Sequence, residues 1–207
     1  RAFFHSTGAH EVLTPVVCPE VAIEPFIEPE AQGRGYVRTS PELEMKRLLA
    51  HGAGDIFQVA PVGRKDEVGR WHRPHFHLVE WYRHGDDIRR LHRDIEALVQ
   101  VVGQGAAVSF ATVSMVERMG EDLGIELRGD EPGEALEGSL AQLRARAGVA
   151  LQPLQGSSAE ARQLSAWTEL HSLWADLVFE PWLRGEGPAG VHLCEFPAPL
   201  AALSRVD

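Results

Sequence analysis

Only two cysteines, Cys18 and Cys194, occur among the 207 residues. They lie too far apart to suggest a disulfide framework or the close ligand pairs of a zinc site, so both are read as buried thiols. No apolar run approaches the ~20 residues that a bilayer-spanning helix needs. No charged-then-apolar leader opens the chain either, and the expectation is a cytoplasmic protein without a membrane partner. Positive charge is in short supply: 20 Lys and Arg stand against 30 Asp and Glu, a formal net charge of −10. A broad nucleic-acid surface needs a basic face to neutralise phosphates, and this balance excludes one while leaving room for a local basic patch. Repeats and low-complexity tracts are absent. What is present suits one compact domain over residues 1–207, with a hydrophobic content of 44% that suffices for a sizeable core.

The chemistry concentrates between Tyr36 and Arg83. Ser40-Pro41-Glu42 predicts a helix start, because the serine hydroxyl can accept from a free backbone N–H and proline is tolerated where its own N–H is not needed. Met45, Leu48 and Leu49 then share one face, and Gly52 and Gly54 mark the end. DIFQVAPVG, from Asp55 to Gly63, reads as a strand rich in apolar and β-branched residues. HFHLVEWYR, from His75 to Arg83, alternates as a strand with two different faces does, and the pair predicts an antiparallel hairpin. Period-two geometry puts Phe76, Leu78, Glu80 and Tyr82 on one face and His75, His77, Val79 and Trp81 on the other. The connecting loop gathers Arg64, Lys65, Arg70, His72 and Arg73, and a polyanion such as triphosphate suits it.

The rest of the chain reads as scaffold. Ile88, Leu91, Ile95, Leu98, Val99 and Val102 recur at helical spacing, with Asp86 and Asp87 at the start and Gly103 at the stop. Leu136, Leu140 and Leu143 mark another helix. Ser157 with Glu160 predicts a capping box before Leu164, Trp167, His171, Trp174 and Val178, whose tryptophans are read as core. GDEPGEALEG (129–138) and LQPLQGSS (151–158) read as surface connections.

RTSPELEMKRLL (38–49) followed by GRKDEVGRWHRPHFHLVEWYR (63–83) resembles motif 2 of the class II lysyl-tRNA synthetases. The likeness is closer to their short paralogues, the elongation factor P lysine ligases. HEVLTPVV (10–17) resembles motif 1 of the same family, and EFPAPLAALSR (195–205) resembles its Y-P-A-S-Q-A-A-L-A-R segment, so the likeness covers nearly the whole chain, thinly between Gly103 and Gly156. It implies a mixed α/β fold of the α+β type, an antiparallel sheet flanked by helices. It also implies a homodimer formed through the Glu11 to Val17 region. As cofactors it implies ATP and Mg2+, with no metal ligand inside this chain. Arg64 is then the catalytic residue, contacting the ATP α-phosphate and the attacking carboxylate. Asp66, His72 and Phe76 complete the ATP set, with Phe76 stacked on adenine and His72 reaching the outer phosphates. Glu80 and Tyr82 hold a lysine or lysine-like amino acid, and Ser40 and Glu42 take part in recognising its amino group. The implied acceptor is a protein lysine, as in elongation factor P. No segment resembles an anticodon-binding barrel, so tRNA is the less favoured partner.

The departures from that pattern are specific. Gly63 stands where the family has Phe, Asp66 where it has Glu, Arg73 where it has Asn, His75 where it has Glu and His77 where it has Thr. Alternation puts the two histidines on the face away from the site. Nothing after Asp207 provides the glycine-rich motif 3 whose arginine binds the γ-phosphate, and Arg1 replaces an initiating Met, so the expectation is a fragment. Two other classes of function compete. A metal enzyme built from His72, His75, His77 and Glu80 is disfavoured by parity, since Glu80 points opposite His75 and His77. A non-catalytic descendant that binds a ligand or partner is motivated by Gly63, Asp66 and the missing motif 3.

Overall fold

The computed structural model describes residues 1–21, 27–69, 72–105 and 108–201. Of the residues singled out in the sequence, Arg70 and the stretch 202–205 lie outside them. The chain divides into two compact units, Arg1–Gly105 and Ala106–Asp207. Both mix helices with strands, and antiparallel pairing occurs in the first.

In the first unit the order is α1 (Ala2–Ser6), β1 (His10–Glu11), β2 (Val17–Cys18), β3 (Ala31–Gln32), β4 (Gly35–Val37), α2 (Glu42–Ala50), β5 (Ile56–Gly63), β6 (His75–Tyr82) and α3 (Ile88–Val102). Strands β1, β5 and β6 form one sheet, with β1 parallel and β6 antiparallel to β5. Strands β2, β4 and β3 form a second, antiparallel sheet. The predicted hairpin is present, in a register from Ile56 opposite Tyr82 to Gly63 opposite His75. Because directly opposed residues share a face, Phe57 and Trp81 point one way, while Gln58 and Glu80 point the other. The Phe57 side is the core: the Phe4 ring stacks on Phe57 with centroids 4.7 Å apart, and Phe3, Ala9, Trp81 and Leu98 pack around them. On the opposite face Ile56, Gln58, Ala60 and Val62 of β5 are buried, and the part-buried Phe76, Glu80 and Tyr82 of β6 stand beside them.

Helix α2 starts where the sequence places it. The Ser40 hydroxyl accepts from the Glu42 N–H at 3.1 Å, and Met45 is fully buried. At the other end the Ala53 N–H reaches back to the Leu48 carbonyl. Gly52 takes the positive φ of 90° that lets the chain turn there.

Helix α3 is capped by Asp87, whose carboxylate accepts from the Arg89 and Arg90 N–H groups. Its apolar stripe is less covered than the periodicity implies, with Ile88 at 58% and Val102 at 75% exposure. The buried residue of this helix is Asp94. Its carboxylate accepts from Arg83 Nε at 2.6 Å and from Arg90 Nε at 3.2 Å. Arg83 also donates to Asp55 at 3.1 Å and to the Thr7 hydroxyl at 2.7 Å. One guanidinium thus ties the end of β6 to α3, to the start of β5 and to the turn after α1. Burial opposes its charge, but the hydrogen bonds and charges of Asp94 and Asp55 prevail and raise its pKa. Burial likewise works against the Asp55 charge, and the His84 N–H with Arg83 outweighs it, holding the carboxyl below its ordinary range.

The second unit runs β7 (Phe110–Ser114), α4 (Met115–Leu123), a 3-10 turn (Gly133–Leu136), α5 (Glu137–Ala147), α6 (Ala159–Trp174), a π turn (Ala175–Phe179), α7 (Glu180–Gly185) and β8 (Gly190–Cys194), with β7 parallel to β8. Met115, Met119, Leu136, Leu140, Leu143, Trp167, Leu170 and Trp174 form its core. Each indole N–H is satisfied there, Trp167 by the Glu131 carbonyl and Trp174 by the Asp122 carboxylate, so these rings are structural. Two expectations change. The cap of α6 is Ser158, which accepts from the Ala161 N–H, one residue beyond Ser157. The 129–138 segment is only partly a surface connection, because Gly133 and Leu136 are buried. A Cβ at Gly133 would come within 2.9 Å of the Arg162 carbonyl oxygen, so only glycine permits that approach. Among the described residues no helix is long and apolar enough to cross a membrane.

Candidate nucleotide and amino-acid site

Strand β6 supplies the site through the face that carries Phe76, Glu80 and Tyr82. Glu80 is held at both oxygens: Oε2 accepts from the Ser40 hydroxyl at 2.8 Å and Oε1 from the Tyr82 phenol at 2.6 Å. An ionised carboxylate has about four lone-pair positions, so two hydrogen bonds leave acceptor capacity for an ammonium. Glu42 adds charge nearby. Burial pushes the Tyr82 phenol far above its ordinary value, and the hydrogen bond to Glu80 and the negative charges of Glu80 and Glu42 reinforce this. Tyr82 therefore stays a donor. In a Tyr36→Phe variant, where Tyr82 is the remaining tyrosine, ultraviolet titration is expected to show no tyrosinate until alkaline unfolding. Since the folded pKa is raised, the stability this group contributes is complete below the unfolded value of about 10 and is lost as pH rises above it. A tyrosinate forming in the intact fold near pH 10 would contradict the assignment.

Four residues toward the hairpin loop, on the same face, stands Phe76. The Arg64 guanidinium carbon lies 5.3 Å from its ring centroid, within cation–π range. Arg64 Nε donates to the Thr39 carbonyl at 3.3 Å, and Nη1 approaches Glu67 at 3.5 Å. The dipeptide Thr39–Ser40 therefore joins the two halves of the site, its first carbonyl holding Arg64 and its second hydroxyl holding Glu80. A cation beside an aromatic ring offers a purine and its phosphate a matched pair of contacts, and the carboxylate with its phenol offers an ammonium a second.

The structure brings together Ser40, Glu80 and Tyr82, with the charge of Glu42 reaching Tyr82 while its carboxylate accepts from Lys46, and separately Arg64 and Phe76. It does not bring Asp66 or His72 to them: both are exposed on the loop, and Glu67 is the acidic residue that touches Arg64. Asp66 has a positive φ of 65°. Aspartate enters that left-handed region more readily than glutamate, which gives a physical reason for the shorter side chain at this position. No set of three or more His, Cys, Asp and Glu side chains among the described residues could hold a metal ion. The hairpin register keeps His75 and His77 opposite Glu80, and the His75 imidazole instead meets the Glu30 carboxylate.

The supporting residues were given no role by the sequence reading. Gln58, 1% exposed, lies directly across from Glu80 and 2.9 Å from the Thr14 hydroxyl. Arg38, 3% exposed, donates from Nε to the Pro61 carbonyl and from Nη1 to the carbonyls of Thr14 and Pro15 and to the Thr14 hydroxyl. Burial lowers its pKa. Together these contacts fix the strand that leads into Thr39 and Ser40. A glutamine at an inward strand position was the visible signal for Gln58, since a buried amide needs a partner.

Across its whole length the chain is 35% identical to the elongation factor P–(R)-β-lysine ligase of Erwinia tasmaniensis, of which it covers 62%. The chain is homologous to these ligases. The ligase of Sodalis glossinidius is 34% identical with 62% covered, and that of Pasteurella multocida 33% identical with 61% covered, again over the full chain. The chain thus spans about three fifths of the length of the curated ligase relatives it matches. No protein-family model matches it.

Proposed function

We propose that this protein is a cytoplasmic ATP-dependent ligase that activates a lysine-type amino acid as its adenylate and transfers it to a protein lysine, with elongation factor P, named in its ligase relatives, as acceptor. The observation that carries this reading is the Thr39–Ser40 junction, which holds a phosphate-type cation and an ammonium-type carboxylate on one strand face. We read residues 1–207 as one catalytic domain with the class II synthetase architecture. In the activation step the amino-acid carboxylate attacks the α-phosphorus and pyrophosphate leaves. In the transfer step the acceptor amine attacks the acyl carbon and AMP leaves. Arg64 would stabilise the charge that builds on the phosphorus, Phe76 would stack on adenine, and His72 and Asp66 would close on the phosphates from the loop. Glu80, Tyr82, Ser40 and Glu42 would bind the ammonium. Mg2+ would accompany the nucleotide and offset its phosphate charge, but the described side chains alone do not form a site for it.

The test is pyrophosphate exchange by the complete gene product with lysine, (R)-β-lysine and the other amino acids. Exchange is expected with a lysine-type substrate. Failure with every amino acid would favour a non-catalytic scaffold that binds a ligand or partner.

We also propose a homodimer through the Glu11 to Val17 region, supported by its exposed apolar side chains: Leu13 at 85%, Val16 at 44% and Val17 at 42%. A Leu13→Asp change is expected to convert dimer to monomer in sedimentation at micromolar concentration. A monomeric parent protein would contradict the proposal.

A further inference from the structure

Two of the departures noted in the sequence, Gly63 and His75, are opposite one another at the loop end of the hairpin. The His75 ring lies against Gly63: a Cβ built there would be 3.1 Å from the ring and 2.9 Å from a Val37 methyl. Both distances are too short for an unshifted side chain, so the absent side chain makes room for the imidazole. Seated there, His75 Nε2 is 2.7 Å from the Glu30 carboxylate.

Glu30 belongs to a short segment that touches both halves of the site. Its carbonyl accepts from the Val37 N–H at 2.8 Å, two residues before Thr39. The Glu28 carbonyl accepts from the Lys65 N–H at 2.9 Å, and the Arg64 N–H donates to Pro74 at 2.8 Å. Arg64 therefore sits between backbone fastenings on either side. His75, Glu30, Val37, Pro61 and Val62 help to line a cavity of about 420 Å³.

We propose that Gly63, His75 and Glu30 form a clamp on the back of the hairpin that holds the Arg64 loop in place, which makes His75 and Glu30 positioning residues for nucleotide binding. Its structural part stands alone, and its catalytic part rests on the nucleotide reading above. Because both side chains reach solvent, the pair contributes modestly, and each single loss is expected to change binding about three- to fivefold.

The experiment uses the complete protein and four variants: His75→Ala, Glu30→Ala, both together, and the exchanged pair Glu30→Lys with His75→Glu. Hydrogen exchange without nucleotide reads the peptide containing Lys65, and pyrophosphate exchange reads KM for ATP and kcat. Each alanine variant is expected to lose Lys65 protection and to raise KM about three- to fivefold with kcat nearly unchanged. The double variant should be no worse than either single one, and the exchanged pair should restore both readouts. Unchanged Lys65 protection in both single variants would overturn the clamp. Lost protection with unchanged KM would overturn its positioning role. A parent protein without exchange activity would overturn the nucleotide reading instead, and the Lys65 peptide would then decide the clamp alone.

Discussion

Replacing Arg64 by alanine in the complete protein is expected to lower pyrophosphate exchange by about 10²- to 10³-fold, the usual loss when one preorganised donor to a developing anion is removed. Arg64 is half-buried, held by the Thr39 carbonyl and set against the Phe76 ring, so its guanidinium is oriented before any nucleotide arrives. Its contact with Glu67 is long at 3.5 Å and should contribute little to folding. The thermal midpoint is therefore expected to stay nearly constant while activity falls. Lysine at this position should recover only part of the loss, because a point charge lacks the planar fork that grips two oxygens. Isothermal titration of ATP with magnesium should show the same order of affinities. Exchange rates in Arg64→Ala within a few fold of the parent would remove Arg64 from the chemistry and with it the central claim about this face.

The second large effect is on stability. An Arg83→Met change removes the nearer of the two cations on Asp94, whose side chain is only 4% exposed, and leaves Arg90 at 3.2 Å on its other oxygen. Breaking a buried ion pair costs about 3–5 kcal/mol when the remaining charge is left alone. Arg90 keeps part of the Asp94 charge compensated, so a loss toward about 3 kcal/mol is expected, still a large part of the ~5–15 kcal/mol that holds a typical domain together. The midpoint of urea unfolding should fall accordingly. Adding Asp94→Asn should return part of the loss, since the under-compensated buried charge is then gone and the two changes are coupled. A loss below about 1 kcal/mol in Arg83→Met would show that the network is not the keystone described. Asp55 gives the same network an acid limb. Its folded pKa is lowered, so its contribution is complete above the unfolded value of about 4 and is lost as pH falls through the folded one.

How much of this could be read beforehand varies with the kind of information involved. The hairpin, its parity and the start of α2 were legible because they depend on neighbours along the chain: alternation in HFHLVEWYR fixes which side Glu80 and Tyr82 share, and Ser40 can reach the Glu42 N–H from where it stands. The end of α3 at Val102 was legible for the same reason. The α6 cap was misplaced by one residue because two serines stand side by side and only the path of the incoming chain selects Ser158. The coverage of α3 was misjudged since periodicity records which residues could be buried together, and here the deepest residue is a charged one whose partner comes from another element.

The sequence by itself determined the local vocabulary of the site. It set a carboxylate, a phenol and a ring on one strand face, a cluster of cations in the adjoining loop, and a likeness to a ligase family that homologues matched over the whole of this chain bear out. The tertiary structure alone decided which of those groups meet. Thr39 and Ser40 join Arg64 to Glu80 across 25 and 40 positions of chain, Asp66 and His72 stay out on the loop, and Glu30 finds His75 across 45. Contacts of that range depend on how elements pack against one another. Burial and hydrogen-bond satisfaction fix that packing over the whole unit, and no short window of sequence contains it.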